Sequence, residues 1–223
     1  SFISSNYNST KDIIKIYQQS KKILNEFLEE LRWLYETEHR GEKAFINYTV
    51  WSDVFICPFC ENEVVFFNQA YDSINKSIKK EFNCDKCNAV LTKRNCVRAV
   101  QHYFDPILDK TVDLSKQVPV LINYSFNKKT YEKIPDENDL NLIDEIENSK
   151  IGYSFPLYEL PEGHNINQPK KSHGLTHFHH FYTKRNLWAL SKVYDLVYKL
   201  KDDSVKSALL FTVEQASQGM SKV

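Results

Sequence analysis

Two Cys-x2-Cys pairs separated by 23 residues constrain this chain more than any other feature: Cys57 and Cys60, then Cys84 and Cys87. A two-residue spacer lets both sulfurs of a pair reach one ion from a single tight turn. Two such turns supply four soft ligands in a tetrahedron, the arrangement that suits Zn2+ and closes it off from water. Such a site has no open position for a substrate, so the expected zinc is structural. Two disulfides or four unrelated thiols are the alternatives. Each pair is flanked by β-prone residues, which predicts the strand–knuckle–strand layout of a zinc ribbon.

Composition narrows the classes. At 223 residues, with 42% hydrophobic and 13% aromatic content, the chain can bury a sizeable core. Five cysteines are an odd number, and no secretory segment precedes them, so a reducing, cytoplasmic setting is expected. No apolar run approaches the roughly 20 residues that span a bilayer. No glycine-rich phosphate loop, serine nucleophile elbow or His-Glu-x-x-His motif occurs. The sequence reads as an excised piece of a longer protein.

Net charge is zero, yet the charges are segregated. Residues 76–98 hold seven Lys/Arg against Glu81 and Asp85. Residues 136–162 hold eight acids against Lys150, and residues 168–206 hold eight Lys/Arg against three acids. Basic stretches attract polyanions such as nucleic acid, although a solvated surface explains the same pattern. Lys79, Lys80, Lys93, Arg94 and Arg98 around the second knuckle are the candidate DNA contacts. Lys184 and Arg185 join them, because they open a helix capped by Thr183, and a helix N-terminus favours anions.

The expected fold class is α+β: a long N-terminal helix, a four-cysteine zinc ribbon, a small mixed sheet and C-terminal helices. Residues 10–36 carry apolar positions at helical spacing, with Ser9 and Asp12 resembling a capping box and Gly41 as the stop. Residues 44–56 and 118–124 read as strands, Val64–Phe67 as a strand leaving the first knuckle, and Glu137–Ile146 as a helix. Residues 152–175, with Pro156, Pro161, Gly163, Pro169 and Gly174, read as a long loop. Helices are expected from Thr183 to about 200 and from 203 to 217. Four segments follow: 1–43 helical, 44–96 zinc ribbon, 97–175 α+β with a loop, and 176–223 helical. Trp51, Phe59, Phe66, Phe67 and Phe82 are the expected mini-core of the ribbon.

A histidine cluster, His173, His177, His179 and His180, precedes Thr183. Its residues could ligate a metal, cap a turn, or meet phosphate or a pocket. No cysteine or carboxylate lies close in sequence to complete a metal set. Cys96 reads as a small buried residue rather than a nucleophile.

Three dispersed blocks carry a family resemblance: Ile46–Cys60, Gln117–Tyr124 and Thr176–Leu187, with Ser1–Asn8 as a fourth. They resemble bacterial site-specific DNA methyltransferases of the amino-methylating type, acting on adenine N6 or cytosine N4. The knuckles of that family often end in Cys-Gly. Here Glu61 and Asn88 follow the second cysteines, and glutamate suits the left-handed conformation poorly, so the first turn is expected to differ in shape. The S-adenosylmethionine motif and the Asp/Asn-Pro-Pro-aromatic tetrapeptide of such enzymes are absent. Asp105-Pro106-Ile107 is no substitute. The resemblance implies a segment between cofactor and catalytic motifs, serving target recognition on double-stranded DNA in a restriction-modification or related system. It also implies that the rest of the methyltransferase chain is the partner, that S-adenosylmethionine binds only the full-length enzyme, and that this segment alone is inactive. A nuclease partner is left open. The rival readings are a zinc module that braces the methyltransferase core or binds a protein, and a contributor to the active-site pocket.

Overall fold

The structure is a computed structural model that describes residues 12–221. Ser9 and the block Ser1–Asn8 lie outside them. In chain order the helices are α1 (Ile13–Leu31), α2 (Phe66–Ala70), α3 (Glu137–Asn148), α4 (His164–His173), α5 (Lys184–Tyr198) and α6 (Asp203–Gln218). The strands are β1 (Glu36–His39), β2 (Glu42–Ile56), β3 (Glu63–Val65), β4 (Tyr71–Asp72), β5 (Ser77–Ile78), β6 (Glu81–Asn83), β7 (Val90–Thr92), β8 (Val97–Arg98), β9 (Val100–Asp105), β10 (Lys110–Ser115), β11 (Gln117–Phe126) and β12 (Lys129–Lys133). The class is mixed α+β with small antiparallel sheets. Two compact units emerge. Unit 1 takes in the described residues up to Lys43, Glu137–Glu159 and those from His177 on; unit 2 takes in Ala44–Asp136 and Leu160–Thr176.

Unit 1 is helical. Asp12 caps α1, its carboxylate accepting from Lys15 N at 3.0 Å. The helix stops at Leu31 and a short 3-10 turn, Arg32–Tyr35, leads into β1. Gly41 therefore does not end the helix. It and Arg40 form a two-residue turn with φ of 84° and 52°, the positive pair that the right-handed twist of a hairpin favours. Ile23 of α1 packs with Leu196, Val197, Val205 and Leu209 of α5 and α6. Leu31, Leu34 and Ile146 form a second cluster, closed by an edge-on Trp33–Trp188 pair at 5.6 Å. Thr183 caps α5 by accepting from Asn186 N at 3.3 Å, and Asp202 caps α6. Among the described residues no helix is long and apolar enough to cross a membrane.

The spine of unit 2 is β2. Along β2, β11 pairs antiparallel from Gln117↔Asp53 to Ser125↔Phe45, and β12 pairs onto β11. The far end of β2 carries β3 and β8. Pro119 cannot donate to the ladder, and the register shifts just beyond it, between Pro119 and Leu121. The buried Asp105 ends β9 as a turn former: its carboxylate accepts from Ile107 N at 2.9 Å and Leu108 N at 3.2 Å.

Two sequence expectations are corrected. The strand leaving the first knuckle ends at Val65, and Phe66–Ala70 turns into a helix. The loop expected over 152–175 contains α4, with Pro169 inside it. The glycines that suggested a loop are the helix boundaries. Asn167 N bonds Gly163 O at 2.8 Å, and Gly174 ends the helix at φ 72°, its N–H on Lys170 O. Gly174 also lies against β10. A Cβ built there would come within 1.9 Å of the Asp113 carbonyl oxygen. The Gly174→Ala variant combines left-handed strain with that clash and should lose roughly 2–4 kcal/mol of stability. Urea unfolding followed by circular dichroism checks this, and Gly152→Ala, with open space around it, is the control.

Candidate metal centre and the cationic residues

The two knuckles are copies of one ten-residue pattern. Phe55-x-Cys57-x2-Cys60-x3-Val64 corresponds to Phe82-x-Cys84-x2-Cys87-x3-Leu91. In each, the residue after the second cysteine returns its N–H to the carbonyl of the first: Glu61 to Cys57 and Asn88 to Cys84, both at 2.9 Å. The first cysteine closes the strand pair, with Cys57 N on Asn62 O and Cys84 N on Ala89 O, again at 2.9 Å. Glu61 and Asn88 stand at φ 57° and 58°. Glutamate thus accepts the left-handed conformation, and the first turn matches the second rather than differing from it.

These turns bring the four sulfurs together. Cys57 Sγ lies 3.7 Å from Cys87 Sγ, and Cys60 Sγ lies 3.6 Å from Cys84 Sγ. All four sulfurs lie within 4.8 Å of one another. Bonded sulfurs would stand near 2.0 Å, so all four are free thiols and the disulfide alternative is set aside. Sulfurs held 2.3 Å from a tetrahedral ion stand about 3.8 Å apart, close to the spacing here. The four cysteines are therefore a group that could hold a metal ion.

Two of the sulfurs differ in their electrostatics. The Cys87 N–H, aided by that of Lys86, pulls the Cys84 thiol down to about 7. At Cys60 the Asn62 N–H also lowers the pKa. Burial and the three neighbouring sulfurs oppose it and push the thiol up to about 12. A cation bound among the sulfurs would favour the thiolate form of each.

Under the sulfurs sits a compact core of Phe55, Val64, Phe66, Ala70, Phe82 and Leu91. Phe66 stands edge-on to Phe55 at 5.8 Å and to Phe82 at 5.2 Å. Phe66 and Phe82 are as expected from sequence, but the other aromatics are not. Phe59 is 68% exposed at the knuckle tip, Trp51 is half-buried, and Phe67 stacks on Tyr71. The missed residue is Phe55. A period-two signal marks it: Phe55 and Phe82 each precede a buried cysteine by two strand positions and so share its face. Cys96 packs partly buried against this core.

The candidate cations separate by environment. Lys79, Lys80 and Arg94 are exposed. Lys93 places its ammonium 4.1 Å from the Phe66 ring centre, a cation–π contact. Arg98 pairs with Asp53 at 3.3 Å and stands over Phe55 at 5.6 Å. In unit 1, Lys184 Nζ donates to the Glu147 carbonyl at 2.5 Å. Arg185 is only 8% exposed, lies 5.8 Å over the Tyr35 ring and has its pKa lowered by burial, opposed by Tyr35, Asp139 and Glu147. The helix start that reads as a surface anion site thus turns its guanidinium inward. Asp139 is itself buried and accepts from the Thr37 hydroxyl at 2.6 Å.

His177, His179 and His180 are likewise interior, each under 9% exposed, with ring centres 4.4–5.7 Å apart. His173 ends α4, its Nδ1 2.7 Å from the Ser172 hydroxyl. Sequence reasoning also missed a second buried cation. Lys192 is 8% exposed and bonds Glu30 closely and Tyr153 Oη at 2.9 Å. The Lys192 ammonium lowers the Glu30 pKa.

Comparison with protein-family models, curated proteins and solved structures gives no match to this chain.

The burial of Arg185 makes a clear expectation. Arg185→Ala should destabilise the protein by about 2–4 kcal/mol, because it removes a packed side chain and leaves the buried Asp139 less compensated. Arg94→Ala should stay within about 0.5 kcal/mol of the parent. Chemical denaturation of both variants measures the difference.

Proposed function

We propose that this chain is a zinc-braced, DNA-binding target-recognition segment of a site-specific DNA amino-methyltransferase. The observation that carries the reading is the paired knuckle. Its four convergent thiols suit one structural zinc ion, and exposed Lys79, Lys80 and Arg94 flank the second turn in sequence. The sequence blocks that resemble amino-methyltransferases supply the class. In this reading zinc fixes the knuckles, the exposed cations engage phosphate, and methyl transfer belongs to cofactor and catalytic motifs elsewhere in the enzyme. The resemblance also suggests cytoplasmic DNA as the setting. Base contacts would specify the site, while phosphate contacts set register and orientation.

A second reading has an observation in its favour. Lys93, Arg98, Lys184 and Arg185 already have partners within their own units. That is how cations are used in a module that braces an enzyme core. The two readings divide on whether the exposed set binds DNA.

Protein prepared without chelator should contain one zinc per chain, with four sulfurs near 2.3 Å by X-ray absorption. The Cys84→Ser variant should lose the ion and the protection of amides in β6 and β7, while the helices of unit 1 keep theirs. Zinc affinity should also fall as pH drops, since protons compete for the thiolates that the metal needs. Metal-free protein with an intact, protected knuckle core would refute the zinc assignment.

DNA binding is tested by a salt titration on duplex. Each phosphate engaged contributes a slope of about −0.9 in log affinity against log salt. Removing Lys79, Lys80 and Arg94 together should flatten the slope by about two to three units and weaken all sequences alike. An unchanged slope favours the bracing module.

A further inference from the structure

A cavity of about 270 Å³ in unit 1 takes no part in the reading above. It opens between α5, α6, the segment 154–156 and the turn Phe178–Tyr182. Five aromatic rings line it: Phe155, Phe178, Tyr182, Tyr194 and Tyr198. Tyr194 and Tyr198 run near-parallel, 6.2 Å apart and 26° between planes, while Phe178 and Tyr182 sit 5.7 Å apart at 52°. The helical register explains the wall. Leu187, Leu190, Tyr194 and Tyr198 follow one another at spacings of three or four, with Ser191 four residues after Leu187, so all five share one face of α5.

The remaining lining decides the charge of a ligand. Glu214 contributes a carboxylate from α6, and among the described residues no lysine or arginine lines the space. Ser191 is 2% exposed and its hydroxyl donates to the Trp188 carbonyl at 2.9 Å. It therefore has only lone pairs left to offer. Ring faces carry negative quadrupole charge, the carboxylate a full negative charge, and the serine lone pairs partial charge. Burial raises the Tyr194 pKa, and the Glu214 charge adds to the effect.

We propose that this cavity binds a small organic cation with an apolar body, a methylated or quaternary ammonium, held by the rings of Tyr182, Tyr194 and Tyr198 and balanced by Glu214. A weakly hydrated cation sheds its water cheaply enough to gain from ring faces, whereas a bare ammonium does not. The volume lies just below the usual range of ligand cavities, about 300 to 1,000 Å³, and so suits one compact group. The inference is independent of the methyltransferase reading, since it uses neither the knuckles nor the DNA contacts.

The test is calorimetry on the whole chain with choline, with its neutral carbon isostere 3,3-dimethylbutan-1-ol, and with acetylated trimethyllysine amide. Choline should bind with a dissociation constant below about 1 mM, and the neutral isostere at least about tenfold more weakly. Tighter binding of the trimethyllysine compound would assign the source to a modified protein side chain, and tighter binding of choline to a free metabolite. Tyr198→Leu and Glu214→Gln change exposed side chains, so the fold should persist by circular dichroism, and each should weaken choline about five- to tenfold. Equal affinity for choline and its isostere, no binding of any of the three up to about 10 mM, or affinities unmoved by both substitutions would overturn the proposal.

Discussion

The knuckle region of unit 2 depends on the convergence of four sulfurs. Its local strands are only two or three residues long: β4 and β5 pair over two positions, β6 and β7 over three. Isolated pairs of this length are marginal in water, and the aromatic core beneath them is a handful of side chains. A cross-link would supply what such a region lacks in buried area. Two turns with the same hydrogen bonds and the same left-handed residue aim their sulfurs at one point, 27 residues apart along the chain for each matched pair of cysteines. An ion there would tie β3 and α2 to β6 and β7 in a single step. Without it, the thiols repel as they ionise, and the Cys84 thiol, drawn toward neutral pH by the Cys87 and Lys86 N–H groups, would be the first to do so.

Unit 1 solves a different problem, that of placing ionic groups inside a helical core. Arg185 rests over Tyr35 with Asp139 and Glu147 close enough to oppose the effect of burial. Lys192 reaches Glu30 and Tyr153. In both cases the charged end meets a carboxylate or a ring. Such pairs are costly to desolvate and rarely add much net stability, but removing one partner leaves a stranded charge. They fix which way α5 faces, because Arg185 and Lys192 are seven residues, about two turns, apart on that helix. The same helix then has its other positions available to line a cavity with Tyr194 and Tyr198.

Local chemistry was legible in the sequence and tertiary placement was not. The cysteine turns could be read because a Cys-x2-Cys spacer fixes geometry within five residues. The cap at Thr183 and the strands over 42–56 and 117–126 could be read for the same reason, whereas Asp12, expected as the partner of Ser9 in a capping box, is itself the cap of α1. Glu61 misled because residue preference in the left-handed region is a matter of about 1–2 kcal/mol, which the surrounding hydrogen bonds override. Helix α4 was hidden because it buries no residue, so it carries no apolar period, and its bounding glycines resemble loop signals. Nothing in linear order shows that residues 160–176 return to unit 2.

Arg185 and Lys184 illustrate the limit most sharply. A helix N-terminus with two cations beside it carries the sequence signature of an anion site, and that signature is indistinguishable from a cation folded under its own helix. The difference lies in residues far away in sequence. Tyr35 provides a ring, Glu147 a carbonyl for Lys184, and Asp139 a buried charge. Once those groups are close, the electrostatic gain from an added phosphate at Arg185 must exceed the loss of its present contacts and the cost of bringing it out. At Lys79, Lys80 and Arg94 the side chains are exposed, so no comparable cost arises. A phosphate-binding surface on this chain is therefore cheaper to build around the second knuckle than at the start of α5, although the sequence marks both with clustered cations.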